Sequence, residues 1–336
     1  SIDHFHCKDF LEQIKDADHI DLLSFSGNSY SNTFFEELES VMSHIKRIDR
    51  LVLSDIFTTR KDTIGSALKA ITRIFSNKAI KVLDLSSNAI CPSGCQEIVD
   101  LLKSNPEIKH LYLNHVALSE DGGNIIAEAL LSSEIRLVTF QAIKNRMGNS
   151  IRLMAKAIEK SKDTLRELVV YQNNVKEEYI SDLLIAIAKC YHLAEVDIRD
   201  NENKRENIEV LSQVVASLKD LTVLKIDDCN ITDKDSFAWI RNVKGMDQPK
   251  LKELYYNYND LEDVFGFVNS LIEVFPSIVK IECKTDEDLE FTGSAFQSVD
   301  VLLQSFEESE KEEESRPEGK DEISDLIKNI QGLDIN

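Results

Sequence analysis

Glycine is scarce in this chain, with 11 in 336 residues. A phosphate-cradling glycine loop would be hard to hide at that density, and none is seen. There is no nucleophile elbow and no His/Cys set at metal-ligand spacing, so no catalytic constellation is legible. Cations are also in deficit: 39 Lys and Arg stand against 60 Asp and Glu, a net charge of −21. The excess is uneven. Residues 286–336 hold 16 acidic and 4 basic side chains, net −12, which leaves net −9 for residues 1–285. Phosphate contacts need clustered Lys and Arg, so nucleic acid is excluded as a partner. An acidic tail facing a basic protein surface fits better. Long apolar runs are absent. Leu183–Ala188 is typical and far too short for a bilayer, which excludes a membrane span. His4, His6, Lys8, Asp9 and Glu12 interrupt any signal-like core near the start. The six cysteines are scattered, and several fall at apolar positions of the repeat described next. They read as reduced core thiols of a cytosolic protein. His4-x-His6-Cys7 lacks a fourth zinc ligand, so neither a metal nor a cofactor is expected.

What the chain does have is a repeat. The frame apolar-x-x-apolar-x-apolar-x-x-Asn, with a small or apolar residue sometimes replacing Asn, returns about ten times. It reads Ile20-Leu23-Phe25-Asn28, Ile48-Leu51-Leu53-Ile56 and Ile80-Leu83-Leu85-Asn88, then Ile108-Leu111-Leu113-Val116 and Leu137-Phe140-Ala142-Asn145. It continues as Leu165-Leu168-Val170-Asn173, Leu193-Val196-Ile198-Asn201, Leu221-Leu224-Ile226-Cys229 and Leu251-Leu254-Tyr256-Asn259, with a fainter Ile278-Ile281-Cys283-Asp286. The last positions are 27 to 32 residues apart. This is the signature of a leucine-rich repeat. Between anchors, stretches such as residues 94–102 and 123–131 carry apolar residues at helical spacing. Each unit is therefore a short strand, a turn and an amphipathic helix, which buries its helix face only by stacking on neighbours. The expected fold is an α/β leucine-rich repeat solenoid of about ten repeats, strongly curved, with a parallel sheet on the concave side. The terminal Asn of each frame is expected to bond the turn backbone within and between repeats.

The ends differ from the middle. Residues 5–17 read as a capping helix with Phe10, Leu11 and Ile14 on its apolar face, and residues 287–306 as the opposite cap. The expected domain is thus 1–306, followed by an acidic tail over 307–336. From Glu307 to Glu322 there are nine acids and three bases, a composition that cannot build a core. Ser324 to Ile330 reads as a short terminal helix capped by Ser324, expected to be either a frayed amphipathic tail or a partner-docking helix.

The strand face and its rim are the default binding surface of such an array. Outward strand positions include Asp84, Tyr112, Gln141, Asp197, Lys225 and Tyr255. The rim after the strands carries Asp200, Asp227 and Asp228, with Asn257 and Tyr258, an acidic set suited to a basic partner. Two segments break the pattern. In Ser54-Asp-Ile-Phe-Thr-Thr-Arg60-Lys61-Asp62 the Asn gives way to Ile56 and the turn lengthens around two cations. In Leu111-Tyr-Leu-Asn114-His115-Val116 the Asn is again absent and a His stands on the rim.

These segments resemble the Ran GTPase-activating protein family. Ser54–Arg60 is close to that family's Ser-Asp-Ile-Phe-Thr-Gly-Arg turn. Leu137–Arg146 resembles its apolar strand ending in Gly-Arg-Asn-Arg, and Leu111–His115 its Leu-Tyr-Leu-His-Asn. The resemblance covers roughly residues 15–320, the acidic tail included. It implies a regulator without an active site of its own, which binds GTP-loaded Ran and speeds hydrolysis, with GTP and Mg2+ held by the GTPase. Many activators supply an arginine to stabilise transition-state charge. This family instead orients the GTPase's own water-positioning glutamine with an Asn, a form of positioning catalysis. By the resemblance, Arg60 holds the loop and interface, Lys61 matches a neighbouring Lys, and Lys144, Asn145 and Arg146 join the partner surface. The glutamine-orienting Asn falls on His115, with Asn114 one place earlier. A neutral imidazole offers a donor and an acceptor as an amide does, so His115 can substitute; a one-residue shift would bring in Asn114 instead; a weakly active Ran binder is the third option. Thr59 and Ile143 replace family glycines, which bears on turn shape. The resemblance also implies a cytoplasmic monomer, able to act with a Ran-binding protein. The alternative is a non-catalytic repeat scaffold or inhibitor that holds some protein on its concave face.

Overall fold

The computed structural model describes residues 7–57, 64–201, 207–244 and 250–284, and the backbone of 290–293. The chain divides into two compact units, residues 1–193 and 194–336.

In the first unit six parallel strands lie in chain order: β1 (His19–Ser24), β2 (Arg47–Val52), β3 (Val82–Asp84), β4 (His110–Tyr112), β5 (Thr139–Gln141) and β6 (Glu167–Val169). Equivalent repeat positions pair directly, as in Leu83 with Leu111 and Leu111 with Phe140. The side-chain period of two sends the central residue inward and its neighbours outward. Leu23, Leu51, Leu83, Leu111, Phe140 and Leu168 are accordingly buried. Parallel neighbours need a crossover, supplied by the helices α2 (Asn32–Met42), α3 (Ile64–Phe75), α4 (Cys91–Lys103), α5 (Ser119–Ser132) and α6 (Ile151–Glu159). In α3 the buried set Ile64, Ala67, Leu68, Ile71, Ile74 and Phe75 follows the 3.6-residue period, which makes one apolar stripe. Each fully buried Leu or Ile contributes on the order of 1.5–3 kcal/mol, so stacked stripes and strand centres form one continuous core. Before β1, helix α1 (Lys8–Ile14) buries Leu11 and sets Phe10 edge-on to Phe25 at 5.9 Å. The unit ends with α7 (Ile180–Ala188).

The second unit repeats the plan with β7 (Glu195–Asp197), β8 (Val223–Lys225), β9 (Glu253–Tyr255) and β10 (Lys280–Lys284) in parallel, joined through α8 (Asn207–Ser217), α9 (Asp233–Val243) and α10 (Val264–Val274). A last strand, β11 (Glu290–Gly293), runs antiparallel to β10. Both units are α/β leucine-rich repeat solenoid.

The terminal Asn residues do the bonding expected of them. Asn88, Asn145, Asn173 and Asn259 are buried. Asn88 accepts from Ile56 N at 2.9 Å and donates to Leu53 O and Leu85 O. Asn145 accepts from Val116 N at 2.9 Å and donates to Leu113 O at 2.6 Å. Each amide thus reaches back to the preceding turn. Asn28 departs from this: it is exposed, and its amide donates to Ser26 O, two residues back in its own turn. No preceding turn stands beside it among the described residues. Asn105 forms a further bridge that the repeat frame does not reveal. Fully buried, it accepts from Lys78 N and donates to Phe75 O and Leu101 O, which closes helix ends.

Candidate partner-binding rim

The residue just before each frame's last position adopts a left-handed backbone. In the first unit φ is 54° at Asp55, 58° at Ser87, 56° at His115, 55° at Lys144 and 57° at Gln172. Such angles cost a non-glycine residue about 1 kcal/mol. A rung of backbone bonds compensates: Asp55 N donates to Ser86 O, Ser87 N to Asn114 O, His115 N to Ile143 O at 2.8 Å and Lys144 N to Tyr171 O. A second left-handed position follows the frame, at Ala117, Arg146 and Asn174. The side chains of Lys144 and Arg146 therefore flank buried Asn145 and stand exposed, as His115 does one repeat earlier. Ile143 is not left-handed, so a β-branched side chain there strains nothing.

Asn114 is held differently from His115. It is half-buried, its Oδ1 accepts from Ile143 N at 3.1 Å, and its Nδ2 donates to Gln141 Oε1 at 3.0 Å. Its own N–H donates to Ser86 Oγ at 3.2 Å. Asn114 is thus one rung of a second ladder, behind the exposed column.

Of the sequence-selected residues in the first unit, the fold brings Asn114, His115, Lys144, Asn145 and Arg146 together on two adjacent turns. Asn145 spends its amide inside the fold, so what it offers there is the placing of its two cationic neighbours. Arg60 and Lys61 lie outside the described residues, as does Thr59. Up to that segment, Ser54 bonds Ser26 Oγ at 2.7 Å, and Ile56 and Phe57 are buried.

The second unit has left-handed turn residues of its own at the equivalent frame positions. Asp200, Asp228 and Tyr258 are its left-handed residues, at φ 50°, 49° and 58°. Asp228 is exposed and Asp200 half-buried. Asp227 stands behind them with 7% exposure. Its Oδ1 accepts from Asn257 N at 2.9 Å and from Asn257 Nδ2 at 2.6 Å. Burial pushes its carboxyl above the usual range, against the pull of those bonds and of Arg199, whose Nε lies 3.7 Å from Oδ2. Asp197, read from sequence as an outward polar residue, is 2% exposed beneath a two-point bond from Arg199.

Of the six free cysteines, Cys91 is exposed, Cys7 is half-buried and the other four are buried. Burial pushes the thiols of Cys95, Cys190, Cys229 and Cys283 up to about 12, which leaves them protonated. His19, Asp21 and Asp49 bring ligand atoms within 4.8 Å of one another. Asp49 is already taken by Arg47 at 2.8 Å and Lys81 at 3.1 Å, cations that would repel a metal ion. No described helix is long and apolar enough to cross a membrane.

The strand-face network beside Asn114 was not legible from the repeat frame. Gln141 Nε2 donates to Glu167 Oε1 at 2.5 Å, Thr139 Oγ1 donates to Glu167 Oε2 at 3.3 Å, and His110 Nδ1 lies 3.0 Å from Thr139 Oγ1. Burial lowers the pKa of His110, with Glu167 opposing. Outward positions of neighbouring strands align in register, so the signal was there in polar residues recurring at those positions in three successive repeats.

No protein-family model matches the chain. Ran GTPase-activating protein 1 of Saccharomyces cerevisiae is 23% identical over 326 residues, which cover 90% of this chain and 79% of that one. Ran GTPase-activating protein 2 of Caenorhabditis elegans is 28% identical over 179 residues, covering 48% of this chain and 18% of that one. Among solved structures, a leucine-rich repeat-containing protein from Legionella pneumophila aligns with TM-score 0.45 at 16% identity, covering 97% of this chain and 95% of that chain. By its repeats the chain is a leucine-rich repeat protein, and by the yeast and nematode relatives it is similar to the Ran GTPase-activating proteins.

Proposed function

We propose that this chain binds a Ran-type small GTPase in its GTP form and accelerates hydrolysis of the bound nucleotide. The observation that carries the reading is the similarity to a yeast Ran GTPase-activating protein along 90% of the chain; the resemblance of the Ser54–Arg60 turn to that family supports it. The chain supplies no arginine finger. It orients the GTPase's own glutamine, which in turn positions the attacking water, through the rim residue His115 on the side where Lys144 and Arg146 also stand exposed. An exposed imidazole at the head of a bonded turn is pre-positioned and needs no rearrangement to contact a partner. Asn114 serves the same turn from behind. Arg60 and Lys61, two repeats before His115 in sequence, supply interface contacts, and Asp200 and Asp228 steer the basic surface of the partner. GTP and Mg2+ belong to the GTPase, the chain acts as a monomer in the cytoplasm, and a Ran-binding protein can join the complex.

A second reading, a Ran-binding or other scaffold without activation, is favoured by one observation: His115 and Val116 stand where the family places Asn. Single-turnover GTP hydrolysis by Ran, with and without this chain, separates the two. Acceleration that falls at least tenfold in Arg60→Ala supports activation. Binding without acceleration supports the scaffold.

A further inference from the structure

Two turns of the rim meet at one residue. Ile143 N donates to Asn114 Oδ1 at 3.1 Å, and Ile143 O accepts from His115 N at 2.8 Å. The orientation of the Asn114 amide therefore fixes the turn that carries His115. What fixes that amide lies on the strand face. Asn114 Nδ2 donates to Gln141 Oε1 at 3.0 Å, and Gln141 Nε2 donates to Glu167 Oε1 at 2.5 Å. The other Glu167 oxygen accepts from Thr139 Oγ1 at 3.3 Å, which leaves the Thr139 oxygen free to accept from His110 Nδ1 at 3.0 Å. Donors and acceptors alternate without conflict from His110 to Ile143, across strands β4, β5 and β6. Thr139 is 4% exposed and the other members are half-buried, so the chain of bonds is partly shielded from water.

We propose that Gln141, oriented by Glu167, is a positioning residue for the Asn114–His115 turn. Resting on the Ran reading above, it sets the rate of the activated step rather than the affinity for the GTPase. Without its acceptor the Asn114 amide is free to rotate, Oδ1 loosens its hold on Ile143 N, and His115 samples more directions. A group that must meet a partner's glutamine within a few tenths of an ångström loses rate when its support loosens.

The test uses three variants of the full chain, Gln141→Leu, Gln141→Glu and the exchange Gln141→Glu with Glu167→Gln. The exchange keeps each bond and moves the charge by one strand. The glutamate now at 141 accepts from Asn114 and from the amide at 167, whose oxygen accepts from Thr139. In single-turnover hydrolysis by Ran, Gln141→Leu and Gln141→Glu are expected to lower the saturated rate at least fivefold, with half-saturation changed less than twofold. The exchange is expected to restore the rate to within twofold. A full rate in Gln141→Leu, or an exchange no better than Gln141→Glu alone, overturns the proposal. An independent readout is the proton–nitrogen NMR spectrum of the chain alone, read at the Asn114 side-chain amide and the His115 backbone amide. Both signals should shift and exchange faster in Gln141→Leu and return in the exchange. Unmoved signals overturn the positioning role whatever happens with Ran. If wild type does not accelerate hydrolysis but the signals move as expected, the Ran reading fails and the positioning role stands. Thermal melts of all three variants show that the fold is kept.

Discussion

The backbone angle at position 115 limits what can stand there. At φ 56° most side chains are strained, whereas Asn, Asp and His are tolerated several-fold better. His115→Asn, which places the family's own residue at the rim, is expected to fold as well as wild type and to match or exceed its activation of Ran. His115→Ala removes both the donor and the acceptor and is expected to lower the saturated single-turnover rate at least tenfold. Equal rates in all three proteins would remove His115 from the mechanism. Asp227 makes a different point. Its raised pKa means that folding disfavours the ionised form, so its contribution to stability is greatest below the ordinary aspartate pKa and is lost as pH rises through the folded value. An amide supplies the same acceptor to Asn257, as Asn114 and Asn257 already do at the equivalent positions. Asp227→Asn is therefore expected to be neutral or stabilising by up to about 1 kcal/mol at pH 7. The difference should vanish in acid as the wild-type carboxyl protonates. Urea denaturation at pH 7 and pH 4 measures this; clear destabilisation at pH 7 would show that the pairing with Arg199 outweighs burial.

Among the elements, the buried Asn bridges hold one repeat to the next. Asn145→Ala strands Val116 N and Leu113 O inside the rim, each unpaired group costing about 1–3 kcal/mol. A loss of about 2–4 kcal/mol in urea unfolding is expected, against less than about 0.5 kcal/mol for exposed Asn28→Ala. Equal losses would mean that the bridges are not what joins the turns. These bridges and the strand centres were legible because both follow one sequence period: every apolar anchor from Ile20 to Cys283 is buried. Most of what builds the rim does not follow that period. Left-handed angles at Ser87, His115, Lys144 and Gln172 leave no common residue type to recognise, since the inter-repeat rung and not glycine sustains them. The network from His110 to Asn114 depends on register between strands, which a one-dimensional reading does not bring together. Asp197 looked outward by period and is covered by Arg199, a neighbour two residues along. Arg60 and Lys61, the most specific part of the sequence signal, fall outside the described residues.

For the whole molecule, the net charge of −21 separates into a nearly balanced array and an acidic end. Exposed Lys144 and Arg146 belong to one unit and exposed Asp228 to the other. Charges of this kind act chiefly on encounter, so association with a basic partner should slow as salt rises while the hydrolysis step, governed by positioning, changes little. Single-turnover hydrolysis of GTP on Ran, measured over a range of concentrations of this chain, tests the proposed function most directly. Saturable acceleration at micromolar or lower concentration, reduced at least tenfold by Arg60→Ala, is the expected result. No acceleration at micromolar concentrations would contradict it.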